Sequence, residues 1–420
     1  MTEATDHPTT SSRVRIAAFC ERMLPPVLFV LLFSTAFLKV AASIALSLAI
    51  LLFLVQRLLT RDPLAPGRIR SYYVVLLVFS GAMLLSFLNT QDTPAGIRLL
   101  RTTIWKLGIV VVIVETVRTA DRARLLLWAY AAGCSVLALL TLYQGIVLHV
   151  WRPPTMWIAV HAGNLLMFGL TAMVSLLLFE ATKGRRTFLL AMCLLTIAAL
   201  YLNGTRGAWV AVAFMLLLLP MVIPRATVKQ RLAVYALIVL GLMAASQAPF
   251  VREKFSEARI NLELYRDGQA RTSLGYRIDM WKASMELFRE HPVIGAGVGD
   301  WQYEVQRLIR EGRAPESIKD YNQTHNIFLD AFSTLGIVGG IALLALIAAP
   351  LLLARGGDGA DAGLARAVAV LTTAAFVVSG MSDTLVHIRG VFTSYLMLIG
   401  IALALHAGQR VTRSAPGGTA

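Results

Sequence analysis

Apolar runs dominate the chain. They lie at 24–40, 42–58, 71–89, 102–118, 124–149, 157–180, 187–203, 207–223, 232–248, 324–354, 365–384 and 391–407. A bilayer core of about 30 Å is crossed by about 20 helical residues. The pattern therefore predicts an all-α integral membrane protein with about twelve transmembrane helices. Composition agrees, with 57% hydrophobic residues, 15% charged residues and a mean hydropathy of +0.68, well outside the range of soluble domains. The first 22 residues are polar and the run after them is too long for a signal-peptide core, so an uncleaved first helix is expected.

A formal net charge of +15 raises the question of a nucleic-acid partner, and the location of the cations argues against one. They gather in alternate short loops: Arg57, Arg61, Arg68 and Arg70; Arg118, Arg122 and Arg124; Lys183, Arg185 and Arg186; Arg225, Lys229 and Arg231; Arg355 and Arg366; Arg410 and Arg413. The intervening short loops are poorer in Lys and Arg, with Lys39 and Arg152 as exceptions. This is the positive-inside pattern, and it predicts that both termini are cytoplasmic. The three cysteines, Cys20, Cys134 and Cys193, lie in or beside apolar runs without CxxC spacing, so neither a disulfide nor a zinc site is expected.

The expected organisation is a cytoplasmic tail over 1–23, nine spans over 24–248, a periplasmic helical loop over 249–323, three spans over 324–407 and a cytoplasmic tail over 408–420. Within the loop, Leu274, Ile278, Trp281, Met285 and Phe288 recur at the spacing of an amphipathic helix. The glycines and proline of "HPVIGAGVGD" end it, and 251–266 and 301–311 read as two further helices. The loop is expected to be a structured cap.

Charged groups at or near membrane depth are costly and mark candidate sites. Three constellations meet on the outer side. "LNGTRGAW" is a tight polar turn with Arg206 at its tip. A guanidinium suits phosphate, and Gly204 and Gly207 allow close approach to the backbone; the alternative is an Arg that caps a helix or snorkels to headgroups. "RTSLGYRIDMW" sets Arg277 and Trp281 four apart on one helix face, with Arg271 before them; the alternative is an ordinary solvated surface. "YNQTHN" surrounds His325 with Tyr321, Gln323 and Asn326. Imidazole is the side chain best suited to accept a proton near neutral pH; the alternative is a helix-starting His bonded to a carbonyl.

In "MSDTLVHIRG", Asp383 could orient a base or hold an Arg, and His387 and Arg389 follow it. A structural ion pair is the competing reading. His161 and Asn164 fit interhelical hydrogen bonds. "GAGVG" is no phosphate loop, since no strand precedes it and no Lys-Ser/Thr follows. No Asp-x-Asp pair or His/carboxylate cluster has metal-ligand spacing. A bound diphosphate would have to be neutralised by arginines, which pairs Arg206 with Arg277. The candidate catalytic residues are thus His325, Arg206 and Arg277. The candidate substrate-binding residues are Tyr321, Gln323, Asn326, Trp281, Arg271, Asp383 and Arg389.

"LNGTRGAW", "YRIDMWKASMELFREHPVIGAGVGDW" and "THNIFLDAFSTLGIVGG", in that order on successive outer segments, resemble the O-antigen ligase and polymerase superfamily, chiefly over 200–345. The resemblance implies a GT-C-like multispanning glycosyltransferase of the bacterial inner membrane. Such an enzyme takes a glycan from undecaprenyl diphosphate on the periplasmic face and gives it to an acceptor hydroxyl, for the ligases a sugar of lipid A-core oligosaccharide. The activity-linked Arg, Arg and His of the family fall on Arg206, Arg277 and His325. Thr205 stands where the family often has Ser and keeps the hydroxyl. One large outer loop, where many polymerases have two, favours a ligase, and the region resembling protein O-oligosaccharyltransferases is absent. The expectation is an inverting displacement with His325 as base and the two arginines on the leaving diphosphate, with no metal and no other cofactor. Polymerase, protein O-oligosaccharyltransferase and flippase remain the alternatives, and membrane lipids are expected partners.

Overall fold

A computed structural model describes residues 8–61, 63–64, 68–268 and 271–414, and every regular element among them is helical. The helices are α1 (Pro8–Ser34), α2 (Lys39–Thr60), α3 (Arg68–Ser86), α4 (Thr93–Thr116), α5 (Ala120–Leu142), α6 (Ala159–Phe179), α7 (Lys183–Asn203), α8 (Arg206–Val222) and α9 (Val228–Ser246). The loop supplies α10 (Pro249–Arg266), α11 (Ser273–Glu290) and α12 (Trp301–Arg310), and the chain ends with α13 (Ile327–Leu353), α14 (Ala360–Gly380) and α15 (Arg389–Ser414).

Each of the twelve apolar runs falls on a helix, and among the described residues 10 helices are long and apolar enough to cross a membrane. The protein is thus a multi-pass membrane protein. α8 is shorter, at 17 residues, and α4 carries Arg98, Arg101, Lys106 and Glu115 along its length. Several boundaries differ from the hydropathy reading. α1 begins at Pro8, inside the expected tail, and ends at Ser34, because the apolar run over 24–40 hides a turn at Thr35–Phe37. α15 likewise continues past the apolar run to Ser414. Of the expected terminal tails, residues 1–7 and 415–420 lie outside the described residues.

α6, α14 and α15 form the centre of the bundle, and their spanning windows are 78%, 72% and 94% buried. α9 stands at the other extreme with 0%. It is apolar all round and packs on α8 and α10, as a lipid-facing helix does. At the end of the bundle away from the loop, Arg57 pairs with Glu115 at 2.6 Å, Tyr73 donates to the same carboxylate, and Arg124 pairs with Asp361.

The loop helices form a cap with a small core of its own, in which Met280, Ala283 and Leu287 of α11 meet Trp301, Val305 and Leu308 of α12. Asp279 ties the cap together by accepting from the Tyr265 and Ser317 hydroxyls. The cap is joined to the bundle through a break in α13. Gly336 has φ +67° and ψ −166°, which is outside the helical region and open in practice only to glycine. The break frees backbone groups, and the segment after α11 pairs with them. Ala296 and Gly297 N–H donate to the Ser333 and Thr334 carbonyls, and Ile337 and Val338 N–H donate to those of Pro292 and Val293. Gly295 and Gly336 sit where a side chain would meet the opposing backbone, which explains glycine in both "VIGAG" and "TLGIV". Asp300 adds a second clamp by accepting from the Gln91 and Asp92 amides at the α3–α4 turn.

Candidate functional site

Three segments converge at the cap end of the bundle. The first is the turn between α7 and α8. Gly204 ends α7 in a left-handed conformation, φ +68°. The Asn203 amide and the Thr205 hydroxyl both donate to the Ala159 carbonyl. Gly163 lies beneath, where any side chain would strike Asn203 and Thr205. The hairpin is further held by Trp209, whose indole N–H donates to Leu200 O and whose ring stacks on Tyr201. Arg206 thereby becomes the first residue of α8.

The second segment is the start of α11. Thr272 caps the helix by accepting from Gly275 N–H, which sets Arg277 on its second turn. Burial lowers the Arg277 pKa, its neighbour Arg206 acts in the same sense, and Asp383 and Tyr321 oppose them. The guanidinium still stays charged, as arginine does in proteins.

The third segment is the entry to α13. Asn326 caps the helix, its side-chain oxygen accepting from Phe328 and Leu329 N–H, and its amide donates to Met381 O. His325, just before it, is held at φ +51°. Its Nδ1 lies 3.2 Å from Asp383 Oδ1. Asp383 is buried and also accepts from Thr384 N–H, so it keeps the acceptor role and Nδ1 carries the proton. The other imidazole nitrogen has no protein partner among the described residues. Tyr321 packs edge-on to His325 at 6.2 Å and against Tyr276 at 5.4 Å, and burial raises the Tyr321 pKa, keeping the phenol neutral. A second His–Asp pair crosses the first: His387 Nε2 sits 3.0 Å from Asp330 Oδ2. Together the two pairs latch the α14–α15 loop to α13.

A cleft of about 270 Å³ brings the first two segments together with the α14–α15 loop, lined by Arg206, Arg277 and Asp383 with Arg152, Lys254, Thr205, Ser379 and Ser382 among others. It lies near the small end of ligand pockets, about 300–1,000 Å³, and suits a charged headgroup. His325 borders it through Asp383 and is not itself in the lining. Arg206 pairs with Glu257 of α10 at 2.9 Å, and Glu257 also holds Lys254.

Other expected residues fall elsewhere. Trp281 does not line the cleft; it is half-buried, and its indole N–H is buried without an acceptor among the described residues. Arg271 is exposed and Gln323 half-buried, and neither lines the cleft. Arg389 lines a separate pocket. Asn326 acts in capping, which its place before "IFLD" could have signalled. Arg152 and Lys254 were missed. The signal for Arg152 was its status as an exception among outer loops; Lys254 had none. The fold also gathers Glu290, His291 and Glu304 closely enough to hold a metal ion. Arg307 pairs with both glutamates and Arg313 with Glu290, so both carboxylates already have cationic partners.

Residues 191–344 match the family model described as O-Antigen ligase. This segment carries Arg206, Arg277 and His325, and it coincides closely with the stretch that carries the sequence resemblance. The match covers less than half of the chain and shows a similarity to that family over this segment. An uncharacterized protein of Haemophilus influenzae is 24% identical over 240 residues, covering 55% of this chain and 59% of the relative. The match thus spans less than two thirds of that relative.

Proposed function

We propose that the chain is an O-antigen ligase, an inverting glycosyltransferase that moves a glycan from undecaprenyl diphosphate to a sugar hydroxyl of lipid A-core oligosaccharide. The observation that carries this reading is the convergence of Arg206 and Arg277 on one cleft with Asp383, whose carboxylate holds His325. In this reading the free imidazole nitrogen of His325 takes the proton of the acceptor hydroxyl. That oxygen bonds to the anomeric carbon as the bond from this carbon to the diphosphate oxygen breaks. Arg206 and Arg277 receive the departing negative charge, and Arg152 and Lys254 extend the positive field. Glu257 holds the Arg206 guanidinium until a diphosphate replaces it. The cap end faces the periplasm of the inner membrane in this account, consistent with the basic loops at the other end.

The product tests the reading. Purified chain with a defined undecaprenyl-diphosphate-linked glycan and lipid A-core is expected to yield glycan joined to the core. A longer lipid-linked glycan would make it a polymerase, glycosylated Ser or Thr a protein transferase, and lipid movement without a new glycosidic bond a flippase.

A further inference from the structure

A second pocket, of about 290 Å³, opens between α1, α2, α4 and the start of α15. Four of its lining residues are cations, Lys39, Arg101, Lys106 and Arg389, and none is acidic. Among the described residues, none of the four pairs with a carboxylate. Lys106 is only 3% exposed, and its ammonium has just the Val386 carbonyl at 3.3 Å and the Phe392 ring at 5.5 Å for company. The Lys39 ammonium lies 4.5 Å over the Trp157 ring. A buried ammonium without a counter-ion is costly, and three further cations beside it raise the cost. The arrangement is balanced when an anion occupies the pocket. The rest of the lining is apolar or hydroxyl-bearing, including Leu31, Leu46 and Trp105. From Lys39 onward α2 exposes Val40, Ile44, Leu48 and Leu51, spaced three or four apart along one face. The pocket thus presents charge at its mouth and a continuous apolar stripe beside it, which is the pattern of an amphiphile.

We propose that this pocket is a lipid-phosphate site separate from the Arg206–Arg277 cleft, with the phosphate held by Lys106, Arg101 and Arg389 and the acyl chains laid along α2. Two arginines supply planar forks for phosphate oxygens and the lysines supply point charges. The site backs onto the reaction cleft: Trp157 in its wall contacts the His161 ring, and Val160 and Asn164 of the same helix line the cleft. Arg389 follows directly on the loop that carries Asp383 and His387. A phosphorylated lipid seated here would have its headgroup beside the cleft.

The experiment uses the full chain in phosphatidylcholine nanodiscs and measures lipid retention by native mass spectrometry and Tm with added lipid. The probes are phosphatidylglycerol, a phosphorylated glucosamine-based glycolipid, diacylglycerol and inorganic phosphate. Both anionic lipids are expected to be retained and to raise Tm, and diacylglycerol and inorganic phosphate to do neither. Arg389→Gln and Lys106→Gln are each expected to weaken retention by about tenfold or more, the value of one hydrogen bond to a charged group. Lys106→Gln should also leave Tm in phosphatidylcholine alone unchanged or raised, because it removes a buried charge; this separates loss of the site from loss of the fold. Preference for the glycolipid would assign the pocket to the acceptor, and equal retention to membrane phospholipid; either supports the site. Equal retention of diacylglycerol, an equal effect of inorganic phosphate, or wild-type retention in both variants would overturn it.

Discussion

At the scale of single residues, the account rests on the imidazole of His325 and on what holds it. Asp383 accepts at Nδ1, and in the proposed mechanism the second ring nitrogen takes the acceptor's proton. Replacing Asp383 by Asn keeps the shape and removes the charge and the tautomer preference, so kcat is expected to fall by about 10²-fold or more with KM little changed; steady-state transfer kinetics check this. Arg277→Lys replaces a planar fork by a point charge, and a loss of about 10²-fold in kcat/KM is expected if the guanidinium holds the leaving group. A lysine variant with wild-type kinetics contradicts that role. Much of this was legible beforehand, since His325, Arg206 and Arg277 stand in polar islands within an apolar chain. The convergence of Asp383 with them was not, because 58 residues separate it from His325 and its sequence fits a structural ion pair equally well. Trp281 shows the opposite failure: helical spacing gives a shared face but not which neighbour covers it.

At the scale of elements, the break in α13 decides how the cap is joined to the bundle. Hydropathy reads 324–354 as one continuous span and cannot see that Gly336 leaves the helical region. The opening sets Ser333 and Thr334 carbonyls against the Ala296 and Gly297 amides, and so fixes the cap over the cleft. Gly336→Ala is therefore expected to destabilise the fold by at least about 1–3 kcal/mol, visible as a lowered Tm in detergent, and to impair transfer although no cleft residue changes. An unshifted Tm would contradict the docking role. The three cap helices were legible because their apolar residues keep the helical period. The glycines of "GAGVG" signal only a helix stop in the sequence, because their partner lies about forty residues downstream and no local pattern names it.

At the scale of the whole molecule, the bundle presents two cationic recesses at its cap end, one around Arg206 and Arg277 and one around Lys106 and Arg389. Membrane spanning was legible from apolar run lengths alone. The burial of α14 and α15 against the exposure of α9 was not, since all three are similarly apolar and only packing distinguishes them. If arginines neutralise the diphosphate, transfer should persist at wild-type rate in EDTA, and a strict need for a divalent ion would remove that account. The most direct measurement is glycan transfer by purified wild-type and His325→Ala protein from defined undecaprenyl-diphosphate glycan to lipid A-core. Core-linked product from the wild type, with a rate about 10²–10⁴-fold lower in the variant, is predicted; an equal rate in the variant, or no core-linked product from the wild type, would contradict it.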